Sequence, residues 1–431
     1  MSSRVSVLLG IVAIGTSIFG ASYFGASGDS ATREISGETS SAVRSTGFSR
    51  NPSNQVSGKA LAAGIGNETL QAEIQGKEPT ASASSLTGAP FRLKAGLQTT
   101  AQEKAEHQSV AVKEVDSVGL TVHDMEAELK FFTEVLPFEK VSDEEVVGED
   151  FEELLGVFGC RVRVVRLKLG TEFITLTQFL APRGRPIPVD SKSNDNWFQH
   201  IAIVVSDMEA AYKHLRKHNV EHASTGPQTL PDWNTNAGGI KAFYFKDPEG
   251  HVLEIIWFPE GKGNPRWQGQ TDLFLGIDHT AIAVSDTDEA LKFYRDFLGM
   301  EVAGESENYG PEQERLNNVF GARLRITGLT ASKGPGIELL EYLAPSDGLP
   351  YPVSTKMNDL WSWRTRLIVG SADEAMKAAK SANVDFVSPG SVDIVDDEIG
   401  IDKGVTVSGP FGHRMILVEE ATQNEETKGA K

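Results

Sequence analysis

The sequence predicts an α+β fold made of four copies of one module, each a strand, an amphipathic helix and about three further strands. Three observations carry that reading. The chain matches itself beyond residue 110, strand-like openings recur four times, and each opening runs into an Asp or Ser placed to cap a helix.

From the N-terminus, Val5 to Phe24 is an apolar run preceded by one charge at Arg4, long enough to cross a bilayer. Residues 1–27 read as a signal peptide or an uncleaved membrane anchor, with 5–24 as the tether in the second case. Either outcome places the rest of the chain on the extracytoplasmic side, exported or membrane-anchored. Residues 28–110 are rich in Ser, Thr, Ala, Gly and Gln, as in PTASASSLTGAP, and poor in aromatic residues, which predicts a disordered linker.

The repeat starts beyond that linker. SVGLTVHDMEAELKFFTEVLPFEKV from Ser117 matches HTAIAVSDTDEALKFYRDFLGMEVA from His279, 162 residues later, and VFGCRVR at Val157 matches VFGARLR at Val319 with the same offset. FLAPRGRPIPVDSKSNDNW from Phe179 matches YLAPSDGLPYPVSTKMNDLW from Tyr342 after one insertion, and DPEGHVLEII from Asp247 pairs with GPFGHRMILV from Gly409. Each half divides again. The openings VDSVGLTV, FQHIAIVV, GIDHTAIAV and WRTRLIV precede the helix candidates DMEAELKFF, DMEAAYKHLRKH, DTDEALKFY and SADEAMKAAK. Modules are thus expected at 111–190, 194–262, 273–353 and 358–421, grouped into halves 111–268 and 273–421, with 422–431 as a disordered tail.

Composition narrows the function. Lys+Arg 41 against Asp+Glu 60 gives a net charge of −19, which excludes a nucleic-acid partner because clustered basic residues must meet the phosphates. A single cysteine, Cys160, excludes intrachain disulfides and cysteine-based zinc sites, so any metal must use nitrogen and oxygen ligands.

QHIAIVVSDMEAA, KDPEGHVLEIIWF, IDHTAIAVSDTDEALKFYRDFLGM and GIELLEYLAP resemble the vicinal oxygen chelate superfamily: glyoxalase I, methylmalonyl-CoA epimerase, extradiol dioxygenases and bleomycin or fosfomycin resistance proteins. The resemblance covers roughly residues 112–420. It implies two cupped mixed β-sheets with helices outside, each sheet built from two βαβββ modules, and metal ligands on the first and last strands of paired modules. Carried over, the first-strand positions hold Ser117, His200, His279 and Arg364, and the last-strand positions hold Thr175, Glu254, Glu338 and Ile416.

The middle modules therefore keep both ligands and the outer modules neither. A catalytic divalent site needs three or four protein ligands plus an open position. Pairing module one with two, or three with four, would leave two ligands per cleft. Pairing two with three gathers His200, Glu254, His279 and Glu338 in one trough, and modules one and four are left to form a metal-free cleft. Glu254 and Glu338 sit inside apolar strands, where an ionised carboxylate needs a partner or a metal.

The expected function is that of a metalloenzyme holding one divalent ion (Ni, Zn, Co, Mn or Fe) and acting on a small molecule with vicinal oxygens. Similarity to glyoxalase I implies a lyase or isomerase in which Glu254 or Glu338 moves a proton between adjacent carbons. One alternative is a non-catalytic, resistance-type binding protein; another is an extradiol-type dioxygenase. KAFYFKDPEGHVLE fits much of the dioxygenase signature at Tyr244, Asp247, Pro248, Gly250 and Glu254, but NTNAGGIKAF lacks its upstream histidine. No oligomer is required, because all four modules lie in one chain.

Other residues read as structural. His251 and His413 are assigned to turns, Trp197 and Trp361 to the core, Glu341 to a solvated strand face, and Cys160 to a small buried position. Arg364 binds an anion or fills the vacated cleft in a salt bridge, and the filler is favoured. Pocket walls are expected in loops at 226–239 and 305–316.

Overall fold

A computed structural model describes residues 109–394 and 399–419. The apolar run Val5–Phe24, nearly all of the 28–110 linker and the 422–431 tail lie outside the described residues. Among the described residues no helix is long and apolar enough to cross a membrane.

Module one comprises β1 (Glu114–Val122), α1 (Met125–Lys130) continuing as a π turn (Phe131–Val135), β2 (Glu139–Val147), α2 (Glu149–Leu155), β3 (Arg161–Leu169) and β4 (Glu172–Ala181). Module two comprises β5 (Gln199–Val205), α3 (Met208–Lys217), β6 (Glu221–His222), β7 (Gln228–Thr229), β8 (Lys241–Lys246) and β9 (Val252–Trp257). Module three repeats module one as β10 (Phe274–Val284), α4 (Thr287–Leu291) with its π turn (Lys292–Phe297), β11 (Glu301–Tyr309), α5 (Pro311–Asn317), β12 (Arg323–Thr330) and β13 (Gly336–Ala344). Module four repeats module two as β14 (Arg364–Ile368), α6 (Ala372–Ser381), β15 (Asp385–Phe386), β16 (Val392–Asp393), β17 (Lys403–Ser408) and β18 (Arg414–Glu419).

The four expected caps form. Asp124, Asp207, Asp286 and Ser371 accept from the backbone N–H groups of Ala127, Ala210, Glu289 and Glu374, each satisfying a donor that the first helical turn leaves open. The modules also depart from the simple pattern. Short helices α2 and α5 interrupt the strands of modules one and three, so 305–316 is the end of β11 and most of α5, not a loop. Pro311 presets the first turn of α5, and Leu316 anchors it by burial.

The strands form two mixed sheets. One runs β15-β17-β18-β14-β1-β4-β3-β2 with β16 on β17, and the other runs β11-β12-β13-β10-β5-β9-β8-β6 with β7 on β8. The seams are antiparallel, β1 with β14 and β5 with β10, while each module's first strand lies parallel to its last. Modules two and three therefore share a sheet, as do one and four.

Packing binds the halves the other way. The helix-side faces of β1 and β5 share one core with α1 and α3, through Leu120, Phe132, Ile203 and Leu215. Those of β10 and β14 share a second core with α4 and α6, through Ile282, Tyr294, Leu367 and Ala379. Both faces of these central strands are buried, which explains their nearly continuous apolar runs. The opposite, concave faces carry the candidate sites.

Candidate metal centre

The register across β13, β10, β5 and β9 sets the geometry. Glu338 pairs with Ala281, which pairs with His200; in the neighbouring row His279 pairs with Ala202, which pairs with Glu254. Side chains two residues apart share a face, so all four predicted residues project from the concave face. Ala202 and Ala281 occupy the floor between them, and their small side chains leave the space into which the longer ones converge.

The donors meet around one point. His200 Nε2 lies 3.1 Å from Glu254 Oε2, and His279 Nε2 lies 3.7 Å from the same oxygen and 3.5 Å from Glu338 Oε2. Metal–ligand bonds of about 2.0–2.2 Å place neighbouring donors roughly 3.0–3.5 Å apart, close to these separations. His200, Glu254 and His279 form the tightest set, with ligand atoms mutually within 4.8 Å. Glu338 stands at its edge and is half-buried, whereas His200 and Glu254 are fully buried. His279 Nε2 is buried and has no hydrogen-bond partner among the described residues. Two carboxylates and two imidazole nitrogens, one of them without a hydrogen-bond partner, fit a divalent cation.

Electrostatics follow from this crowding. Burial pulls His200 below its ordinary pKa, and the Glu254 hydrogen bond only partly restores it. Burial also opposes charge on His279, but Glu338, Asp278 and Glu254 outweigh it and push the imidazole up to about 10. Glu338 is raised by burial, against the pull of His279.

Further residues support the site, and of these only Tyr244 stood out in the sequence. Asp278 Oδ2 lies 3.1 Å from His279 Nδ1, and Trp267 Nε1 donates to Asp278 Oδ1 at 2.8 Å. Strict alternation would put Asp278 on the face opposite its neighbour, but a register shift between Ile277 and His279 re-aims it. The Tyr244 ring lies 4.7 Å from that of His200. On α5, Gln313 and Asn317 are buried and hydrogen-bonded to each other, flanking Leu316, which packs with Tyr244 and Ala281.

The remaining sequence readings divide. His251 is buried, with Nδ1 2.7 Å from Asp247 Oδ2 and Nε2 3.0 Å from the Leu360 carbonyl, and Asp247 also accepts from the backbone of Glu249 and His251 within the turn. With Glu128 these residues form a second cluster of potential ligands. Burial and the charges of Asp247 and Glu249 push the Glu128 carboxyl up to about 10, so it is held neutral. Trp197 and Trp361 are buried, and Cys160 is buried with its thiol raised to about 11. Glu341 does face away from Glu338, but it is not simply solvated: Oε2 accepts from Thr287 N at 3.2 Å, where a helix start offers free N–H groups. Arg364 makes no salt bridge among the described residues; its partners are the Met357 carbonyl and Thr121 Oγ1.

The model of the Glyoxalase/Bleomycin resistance protein/Dioxygenase superfamily matches residues 114–255 and 276–415, one match per half of the chain. The chain belongs to this superfamily. A 2-epi-5-epi-valiolone epimerase from Actinomyces sp. is 31% identical over 153 residues, which spans 34% of this chain and 80% of that protein. Among solved structures, glyoxalase I from Zea mays is similar at 16% identity and a TM-score of 0.48, covering 71% of this chain and 92% of that one. A putative dioxygenase from Bacillus subtilis gives 15% identity and a TM-score of 0.44, covering 72% and 86%. The superfamily match falls on both halves of the repeat, so the duplication read from the sequence is a duplication of this superfamily's unit.

Proposed function

We propose that this superfamily member is a metal-dependent isomerase, lyase or epimerase that shifts a proton at a carbon flanked by vicinal oxygens of a small molecule. The observation that carries the reading is the convergence of His200, Glu254, His279 and Glu338 on one concave face. These four residues would hold a divalent cation, which supplies Lewis-acid stabilisation of negative charge developing on the substrate oxygens.

The chain's own groups divide the remaining work. Asp278 orients His279, and Tyr244 packs against His200, so the imidazoles stay fixed while substrate binds. Glu338 is the general base and then the general acid. It lies at the edge of the donor set and its raised pKa gives it proton affinity suited to the task. Glu254, buried and bonded to His200, remains a fixed ligand. Gln313 and Asn317 offer buried amides for substrate hydroxyls. The epimerase relative supports proton transfer beside a carbonyl as the reaction class. The glyoxalase I form of that chemistry would turn a hemithioacetal into a thioester through an enediolate.

The test is metal content together with solvent-deuterium exchange into candidate vicinal hydroxy-carbonyl compounds. His200→Ala and His279→Ala should lose a stoichiometric divalent ion. Glu338→Gln should keep most of the metal and lose exchange by about two orders of magnitude or more. Wild-type exchange in Glu338→Gln would refute its role as base. A wild-type protein that takes up no Ni²⁺, Zn²⁺, Mn²⁺ or Fe²⁺ would refute the metalloenzyme and leave the non-catalytic binding protein.

A further inference from the structure

The sheet seamed by β1 and β14 has the same frame as the metal-centre sheet, with different chemistry at each equivalent position. Thr175 pairs with Gly119, which pairs with Arg364; in the next row Ser117 pairs with Arg366, which pairs with Ile416. Arg364 thus stands where His200 stands in the other sheet. Around it lies a cavity of about 70 Å³ whose lining includes Arg166, Arg364 and Arg366 beneath Phe151, Leu154 and Leu155 of α2. We propose that this cavity is a second ligand site of the chain, taking a small carboxylate with a short apolar tail whose oxygens are bound by Arg364.

Two of the three guanidinium groups are already engaged. Arg166 makes a two-pronged contact with Asp116, at 2.7 and 2.8 Å, and Arg366 contacts Asp116 and the carbonyls of Ile399 and Gly400. Arg364 is different. It is 5% exposed and has no carboxylate partner among the described residues, and its two hydrogen bonds engage only part of a five-donor fork. A buried acid can shed its charge by protonation, as Glu128 does, but a guanidinium cannot shed its own at neutral pH. Burial lowers Arg364 only to about 10. An uncompensated buried cation is strongly destabilising, and a planar carboxylate is the partner its fork matches.

The chain also gives up a side chain to house this group. A Cβ at Gly119 would stand 2.7 Å from Arg364 Cγ, whereas the equivalent position in the other sheet is Ala281. The roof names the rest of the ligand. Where α5 carries Gln313 and Asn317, α2 carries Phe151 and Leu155 at the same offset of 162, so the buried amides of one helix give way to apolar side chains in the Arg364 cavity. A fully hydrated oxyanion suits that wall poorly, and an aliphatic tail suits it well.

Titration calorimetry of the full chain with butyrate, its uncharged isostere butyramide and inorganic phosphate tests the assignment. Butyrate should bind once per chain, with butyramide and phosphate each weaker by at least about ten-fold. Arg364→Met should abolish butyrate binding. Ile416→Glu should do the same by supplying an internal counter-ion at the position equivalent to Glu254, and it guards against a folding defect in the first variant. Neither should change metal content, so failure here is separable from failure of the metalloenzyme reading. No butyrate binding by wild-type protein at millimolar concentration, undiminished binding by both variants, or phosphate binding as tightly as butyrate would each overturn the proposal.

Discussion

Asp278→Asn is the sharpest test of the metal centre. Asp278 Oδ1 accepts the Trp267 indole N–H at 2.8 Å and Oδ2 faces His279 Nδ1 at 3.1 Å. An asparagine must keep its carbonyl oxygen toward Trp267, because an indole N–H only donates. Its amide NH₂ is then turned toward His279 Nδ1, where it can only donate. That favours the tautomer with its proton on Nε2, the nitrogen that faces Glu254 and Glu338. Loss of an outer-shell carboxylate typically costs ten- to a hundred-fold in metal affinity; the reversed tautomer places this one near a hundred-fold, about 2.7 kcal/mol. Competition for Zn²⁺ or Co²⁺ against a chromophoric chelator reads the change. Trp267→Phe in the same chain frees the amide to flip and should recover part of the loss. Affinity within two-fold of wild type for Asp278→Asn would refute the assigned role of His279.

Two further outcomes follow from the electrostatics. His279 is held protonated up to about 10 when no cation competes, so binding a metal near pH 7 must displace that proton. Affinity should therefore rise from pH 6 to pH 9, and calorimetry in buffers of different ionisation enthalpy should register about one proton released; none released would contradict the site. Glu128 has a folded-state pKa raised from 4.5 to about 10, so its contribution to stability is fully present below pH 4.5 and declines as pH rises toward 10. The melting temperature of wild type should fall more steeply between pH 6 and pH 9 than that of Glu128→Gln, and parallel curves would show that Glu128 is not held neutral.

Much of this was legible in the sequence because duplication makes one chain its own comparison. The offset of 162 paired the two halves, the recurring strand openings divided each half again, and Asp124, Asp207, Asp286 and Ser371 marked four helix starts. The crossed pairing followed from counting donors, since no other arrangement of the modules collects more than two. What escaped detection was local. The bulge that turns Asp278 toward His279 leaves no pattern in GIDHTAIAV, because alternation assigns adjacent residues to opposite faces. Helices α2 and α5 have seven residues each, too few turns for a helical period to stand out from a loop. Glu341 was assigned by face alone, and the face it occupies is covered by the start of α4.

The two ways of pairing modules have a consequence for how the site is assembled. The helix-side cores join mainly module one to two and module three to four, whereas the sheets and the clusters on their opposite faces join two to three and one to four. Residues 111–268 hold His200 and Glu254; residues 273–421 hold His279 and Glu338. Either half alone would expose the edges of both its seam strands and hold half a donor set. Two donors would leave a divalent ion mostly to water, so the proposed metal centre requires the seam where β5 meets β10. Substitutions along that seam, at Ala202 or Ala281, act on the site without touching a ligand, because they set the separation at which the two half-sets face each other.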